Sequence, residues 1–134
     1  MNSFTLKLQD ATRSEEIDGV SAFVGEDSTG SFGIRADHTR FMAILKIGLA
    51  RFRVGEGSWI YLASPGAVLY FYDNTLTLST RRYLLDADYM RISRALQDQL
   101  LAEEETLRAM KDSLHRMEQA ILRRLWEMGR MEQV

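Results

Sequence analysis

Glycine and proline are concentrated in the first half of this chain. Eight of its nine glycines lie at or before Gly66, and its one proline is Pro65, whereas residues 67–128 contain neither. Because these two residues interrupt regular backbone structure more strongly than any others, the N-terminal part is divided into short segments typical of strands and turns. The stretch Asp86–Met128 consists of helix-forming residues without an internal stop signal. We therefore expect a mostly β and then α chain.

Length and composition limit the class of protein. A chain of 134 residues can hold one modest core and an appendage. Its net charge of −2 gives no support for a nucleic-acid partner. It has no cysteine, and its first residues lack the apolar core of a signal peptide. Because its apolar runs are far shorter than a membrane span, we expect a cytosolic protein without direct membrane insertion.

Alternating apolar and polar residues predict seven or more short strands, spaced as in a β-sandwich or barrel. Residues 10–16 are expected to form a loop or an irregular edge. Gly55-Glu56-Gly57 predicts a three-residue hairpin loop, and Asp73-Asn74 predicts a two-residue turn. The predicted strands are 4–8, 20–24, 31–34, 41–45, 47–54, 59–62, 67–72 and 76–79.

The helical part is predicted to begin at Asp86 or Asp88, either of which can cap a helix, and to end with Gly129 as the residue after its C-cap. We expect a β domain at residues 1–82 and a helical arm at 83–134, with residues 80–85 as the junction. Two apolar stripes run along this arm. The shorter stripe is Tyr89, Ile92, Leu96 and Leu100, and the longer one, called the seam below, is Leu107, Met110, Leu114, Met117, Ile121 and Leu125, continued by Met128.

Three adjacent carboxylates and a threonine separate the two stripes. Glu103, Glu104 and Glu105 repel one another, and Thr106 is able to cap a new helix. The arm therefore either folds into a helical hairpin at these residues or continues as one long helix. In both cases the seam needs a covering partner, since each buried Leu or Met contributes about 1.5–3 kcal/mol.

The chain carries no pattern typical of an enzyme. Its two histidines, His38 and His115, are far apart, which argues against a metal site. Asp27, Asp37 and Glu26 are interpreted as solvated loop carboxylates rather than an acid and base pair. No serine lies in a strand-to-helix elbow. We expect no catalytic residue, no metal and no cofactor.

One block of the sequence resembles a known family. Its residues are Gly25-Glu26-Asp27, Gly30-Ser31-Phe32-Gly33-Ile34, His38, Phe41-Met42-Ala43-Ile44-Leu45 and Gly48, and a later hairpin is similar at Tyr61-Leu62, Gly66, Val68, Asp73-Asn74 and Leu76-Thr77-Leu78. Together with the order of strands and helices, this block resembles the epsilon subunit of F-type rotary ATP synthases. The resemblance implies an N-terminal β-sandwich of about ten short strands followed by a helical hairpin or long helix.

The resemblance also implies a function. The chain would be a non-catalytic subunit of the central stalk, lying peripherally at the cytoplasmic face of the bacterial plasma membrane. Its partners would be the gamma subunit and the c-ring, and its arm would reach the alpha/beta catalytic head and restrain ATP hydrolysis. The residues implied to face the c-ring are Thr29, Gly30, Ser31, Phe32, Arg35, Asp37 and His38.

The chain departs from the family pattern at several positions. Ala36-Asp37 replaces the usual Pro-Gly, and Arg40 replaces a proline. Arg94 and Ala95 keep part of the nucleotide-binding motif that some members carry, but Arg91 stands where its carboxylate belongs, which argues against ATP binding. These departures suggest a divergent branch, such as the alternate, sodium-pumping type of synthase.

Two other functions fit the same pattern. A free-standing adaptor would homodimerise through its C-terminal amphipathic helix. A small ligand-binding β-barrel would use the helical arm only as a brace.

Overall fold

The computed structural model describes residues 2–132, with side chains through Arg130. Within this range nine strands precede the helical elements, which confirms the predicted order of a β domain followed by a long helix. The strands are β1 (Phe4–Gln9), β2 (Ser14–Asp27), β3 (Gly30–Ile34), β4 (Phe41–Leu45), β5 (Gly48–Val54), β6 (Ile60–Ser64), β7 (Ala67–Tyr72), β8 (Thr75–Thr80) and β9 (Leu84–Asp86). The helical elements are α1 (Tyr89–Ala95), a π-helical segment (Leu96–Leu101) and α2 (Ala102–Glu132).

The strands form a single hydrogen-bonded sheet that folds into a β-sandwich. Their order is β4-β7-β8-β1-β2-β5-β6-β9, and β3 also pairs with β2. The pair β1–β8 is parallel, and the neighbouring pairs are antiparallel. The long strand β2 belongs to both halves of the sandwich, because its first part pairs with β1 and its second part with β5 and β3. A register irregularity lies beside Gly19, whose φ of 71° is adopted more readily by glycine than by other residues.

The main core lies between the two layers of the sandwich. Alternate residues of β1, β7 and β8 point inward, as the period of two in the sequence predicts. In β2 the alternation is interrupted, because the consecutive residues Ala22 and Phe23 are both buried. Phe4 and Phe71 meet edge to face with their ring centroids 5.6 Å apart. The largest fully buried side chains of this core are Phe23, Phe52, Phe71, Tyr83, Leu6, Leu8, Ile34, Leu62, Leu69, Leu76 and Leu78.

A second, smaller cluster lies on the outer face of the sheet. Ile92 of α1 and Leu100 of the π segment are buried against Ala63 of β6, with Leu96 packed beside them. Strand β6 is therefore buried on both faces, since its neighbouring residue Leu62 belongs to the main core. The shorter apolar stripe of the sequence is thus the face by which the first helical turns attach to the sandwich.

The chain divides into two compact units, the first ending at Leu101 and the second beginning at Ala102. The first unit extends well beyond residue 82, where the sequence pattern ends the β domain. The reason is the second cluster, which holds α1 and the π segment on the sheet. The second unit consists of α2.

Several predicted bounds of the strands are wrong, and each error has a local cause. Strand β2 begins at Ser14, because residues 14–17 pair with β1 although they are mostly polar. The connection after β5 is residues 55–59, longer than a three-residue loop. Part of the predicted junction is β9, which pairs with β6 through Leu84 and Leu85. The turn at Asp73-Asn74 is confirmed, with φ values of 51° and 52° that match a type I′ hairpin.

The start of the helical part is predicted correctly and its end is not. Asp88 is the N-cap of α1, and its carboxylate accepts a hydrogen bond from the backbone N–H of Arg91. Helix α2 continues through Gly129 to Glu132, so Gly129 is an interior residue. A hairpin turn at residues 103–106 is also excluded, because the hydroxyl of Thr106 donates to the carbonyl of Ala102 inside α2 instead of capping a new helix.

Candidate functional site

The residues implied to face the c-ring lie at the two ends of β3. Thr29 belongs to the turn before this strand, while Arg35 and His38 belong to the loop after it. Ser31 and Phe32 are inside β3 and pair with Glu26 and Gly25 of β2. Since five strand residues span roughly 13 Å between their first and last Cα atoms, the structure does not bring these residues together in one loop.

The turn before β3 is held by the carboxylate of Asp27. Its Oδ1 atom accepts hydrogen bonds from the backbone N–H of Thr29 at 2.8 Å and from the hydroxyl of Thr29 at 2.6 Å. These bonds lower the pKa of Asp27 below its ordinary value of 3.8, the hydroxyl contributing most. Gly30 follows with a φ of 128°. The turn is therefore a preformed, negatively charged corner.

The loop after β3 is fastened to the β7–β8 hairpin. The backbone N–H of Asp37 donates to Oδ1 of Asn74 at 2.6 Å, and Nδ2 of Asn74 donates to Oδ1 of Asp37 at 2.9 Å. Asp37 has a φ of 63°, a conformation that aspartate tolerates better than most residues. Two reciprocal bonds between segments 37 residues apart hold this loop in one shape.

His38 lies over the apolar end of the same loop. Its ring meets the rings of Phe41 and Phe71 edge to face, at centroid distances of 5.5 and 5.8 Å. Its Nδ1 atom is 2.8 Å from the carbonyl oxygen of Thr39, so we assign the ring proton to Nδ1. His38 is an exposed residue.

An exposed apolar surface covers the outer side of β4 and β7. We call it the β4–β7 face, and its members are Met42, Ile44, Val68, Tyr70 and Tyr72. Ile44 is 72% exposed and pairs with Val68, which is 47% exposed. Met42 pairs with Tyr70, and the guanidinium of Arg40 lies 4.4 Å from the ring centroid of Tyr72. Both strands therefore carry apolar side chains on the core side and on the solvent side.

The β4–β7 face is not among the surfaces predicted from the sequence. A signal was present, because residues 41–45 are five consecutive apolar residues and residues 67–72 are almost entirely apolar. A strand with one solvated face normally alternates with polar residues. Such runs indicate a strand that is buried on both faces. Among the described residues, none packs over the outer face of β4 and β7.

The seam lies on α2 as the spacing predicts. Its six predicted residues are between 39% and 61% exposed, and side chains from Glu105 to Arg130 are all exposed. Met128 continues the same stripe at 58% exposure. An apolar stripe of this length is typical of a helix that binds another helix.

The incomplete nucleotide-binding motif lies on α1. Arg91, which differs from the motif, has a structural role. Arg91 forms a two-bond ion pair with Asp86 of β9, through Nε to Oδ2 and through Nη2 to Oδ1 at 2.8 Å. This pair is the main reason that the pKa of Asp86 falls to about 2. Arg94 is exposed and Ala95 is half-buried. The position that would supply a carboxylate thus fastens α1 to the sheet instead.

The described residues hold no cluster of His, Asp or Glu that could bind a metal ion. The Nε2 atom of His115 lies 3.3 Å from Nε2 of Gln119, one turn further along α2. No helix between residues 2 and 132 is long and apolar enough to cross a membrane.

Comparison with known proteins identifies the domain. A family model of the β-sandwich domain of the ATP synthase Delta/Epsilon chain matches residues 4–85. The chain is also 28% identical over 111 residues to the ATP synthase epsilon chain 2 of Cereibacter sphaeroides, an alignment that covers 82% of this chain and 76% of the relative. Neither match reports the coupling ion, so the sodium-type branch stays a prediction.

Solved structures share the fold. A chain of the Euglena gracilis mitochondrial ATP synthase (OSCP/F1/c-ring) matches with a TM-score of 0.58 at 17% identity, over 72% of this chain and 62% of that one, which is less than two thirds of its length. A chain of the Tetrahymena thermophila mitochondrial ATP synthase central stalk and c-ring matches with a TM-score of 0.55 at 16% identity, over 84% and 92%. The family model covers more than half of this chain. The chain therefore belongs to the ATP synthase Delta/Epsilon family.

Proposed function

We propose that this chain is a non-catalytic stalk subunit of a rotary F1Fo ATP synthase, coupling the gamma shaft to the membrane c-ring. Family membership and the named relative support this role. The solved chains that share its fold come from ATP synthase assemblies, one of them a central stalk with its c-ring. The subunit would lie peripherally at the cytoplasmic face of the bacterial plasma membrane, held there by its partners.

One observation carries the proposal: the exposed β4–β7 face. Met42, Ile44 and Val68 together expose more apolar surface than a solvated strand pair normally does. Covering the exposed part of each of these side chains would contribute roughly half to two thirds of the 1.5–3 kcal/mol that full burial gives. We assign this face to the gamma subunit, because a subunit that turns with the shaft needs a permanent and largely apolar contact.

The edge of the sandwich along β3 is proposed to face the c-ring. The corner at Asp27–Gly30 and the loop at Arg35–His38 lie at its two ends. Both segments are held in one shape, the first by Asp27 and the second by the Asp37–Asn74 pair. Preformed polar loops lose little conformational entropy on binding, so they suit a contact with the polar loops of ring subunits. The seam of α2 is proposed to reach the catalytic head and restrain hydrolysis.

A matched pair of valines tests the assignment of the β4–β7 face. Val68→Asp places a charge at the centre of the face, whereas Val54→Asp places one at the end of β5 on a side chain of similar exposure, 41% against 47%. We expect Val68→Asp to lose most of the gamma subunit that co-purifies with a tagged chain from membranes. Val54→Asp should retain it. Neither change should alter the free energy of unfolding by more than about 0.5 kcal/mol.

Equal recovery of the gamma subunit with both variants would refute the assignment of this face. Failure of the unmodified chain to recover any ATP synthase subunit would refute the proposed function as a whole.

A further inference from the structure

Helix α2 carries an apolar seam without a covering group among its own residues. It is a helix of 31 residues, about 46 Å long. Leu114, Met117 and Ile121 at its middle are each more than half exposed. When the subunit is not assembled, this surface is in contact with water at a substantial free-energy cost.

We propose that in the unassembled protein α2 pairs in antiparallel orientation with α2 of a second copy of this chain. The proposal goes beyond the function in the stalk, since it concerns the free subunit. It rests on the order of charges beside the seam, which is complementary to itself in the register that pairs the middle of the seam with the middle of its copy.

The register follows from the heptad positions of the seam. Leu107, Leu114 and Ile121 occupy a positions, and Met110, Met117 and Arg124 occupy d positions. Residues at a face residues at d in an antiparallel pair. Leu114 then faces Met117 of the second copy, and Met110 faces Ile121 of the second copy. The central four layers are entirely apolar, and Arg124 lies in the outermost layer against Leu107.

The charges beside the seam agree with this register. Lys111 and Glu118 both occupy e positions, which face each other in an antiparallel pair. In the proposed register Lys111 of each copy faces Glu118 of the other, which gives two symmetry-related ion pairs. Neither residue has an oppositely charged neighbour three or four positions away on its own helix, so neither charge has a competing partner along the helix. The g positions on the other flank of the seam carry small, uncharged side chains over its central part. They are Thr106, Ser113 and Ala120.

The two adjacent antiparallel registers place like charges together. Sliding the antiparallel pair by one heptad in one direction brings Lys111 against Lys111 of the second copy, and sliding it in the other direction brings Glu118 against Glu118. A parallel pair brings Arg124 against Arg124 in the same layer and removes both ion pairs. The proposed register therefore has more favourable charge pairing than the two adjacent antiparallel registers and the parallel pair.

Charge exchange in the full-length chain tests the pairing. Sedimentation velocity over a range of concentrations should show a monomer–dimer equilibrium for the unmodified protein. Glu118→Lys and Lys111→Glu should each weaken dimerisation about tenfold, because each replaces two attractions with two repulsions. The double variant restores opposite charges, and its dissociation constant should return to within about threefold of the original. Both sites are exposed, so the far-ultraviolet circular dichroism should stay unchanged.

The absence of cysteine in the natural chain permits a test of orientation. Met110→Cys and Ile121→Cys variants are mixed and oxidised. The antiparallel register predicts disulfides mainly between Cys at 110 of one copy and Cys at 121 of the other. A monomer at all concentrations, failure of the double charge variant to recover, or predominant 110–110 crosslinks would overturn the proposal. Recovery of ATP synthase subunits from membranes is independent of these outcomes, so either proposal can fail alone.

Discussion

Tyr83 shows how one side chain ties the end of the strands to their beginning. It is fully buried, and its hydroxyl donates to Oε1 of Glu15 at 2.6 Å. The guanidinium of Arg13 lies 4.0 Å from its ring centroid and donates to its backbone carbonyl. Burial first, and then the bond to Glu15, raise the pKa of Tyr83 from 10.0 to about 12. The phenol is therefore neutral at physiological pH and fastens residue 83 to the β1–β2 hairpin.

Replacement of Tyr83 should change how the free energy of unfolding depends on pH. Tyr83→Phe removes one hydrogen bond and should lower the free energy of unfolding by about 1 kcal/mol at pH 7, measured by urea titration. Because the folded pKa lies above the unfolded value, the contribution of the phenol is complete below pH 10 and is lost as the pH rises towards 12. The variant should lack this alkaline loss of stability. Tyr72→Phe, at a half-exposed site, is the control; identical alkaline slopes in wild type and Tyr83→Phe would contradict the assignment.

At the scale of the element, α1 and the π segment are held by a few contacts. Ile92 and Leu100 are buried, and the rings of Tyr61 and Tyr89 meet edge to face at 5.3 Å. The Asp86–Arg91 ion pair adds a polar contact at the start of α1, but the side chain of Arg91 is 71% exposed and the pair is screened by water. Apolar packing is consequently the main attachment of these elements.

Adjacent positions of α1 allow a matched test of this packing. Ile92→Ala should cost about 2–4 kcal/mol, because it opens a cavity between α1 and β6. Met90→Ala changes a side chain that is 69% exposed and should alter stability by less than about 0.5 kcal/mol. Amide hydrogen exchange would localise the effect, with faster exchange in α1 expected for Ile92→Ala. Unchanged protection of α1 in that variant would show that the helix is not attached through Ile92.

For the whole molecule, the division at residues 101 and 102 predicts where the chain can be shortened. Both hydrophobic clusters lie in the first unit, so a chain that ends at Leu101 should fold with an unchanged urea midpoint. A chain that ends at Arg82 lacks Tyr83 and Leu85 of the main core. It also lacks Ile92 and Leu100 of the second cluster, so it should lose more than about 5 kcal/mol.

Urea titrations of the two shortened chains would compare the boundary derived from the sequence with that of the structure. Equal stability of both would favour a β domain that ends at residue 82. A chain ending at Leu101 that fails to fold would show that the first unit is not autonomous.

Much of this architecture was determined locally by the sequence. Alternation at Phe4, Leu6 and Leu8 predicted a strand, Asp73-Asn74 predicted a tight hairpin, and Asp88 predicted the start of the helix. Each of these signals acts over a few residues, because a side chain restricts its own backbone or bonds to a nearby N–H group. Gly129 was misleading for the same reason, since a favourable stop signal ends a helix only if the following residues leave the helical conformation.

The tertiary structure alone decided which distant segments meet. The parallel pairing of β1 with β8, the bond from Tyr83 to Glu15 and the link from Asp37 to Asn74 join residues far apart in sequence. It also decided that the short apolar stripe is covered by β6, while the β4–β7 face and the seam stay exposed. The sequence shows that such stripes are apolar, but burial is a collective property of the packed chain. Their partners were therefore settled only when all the strands were in place.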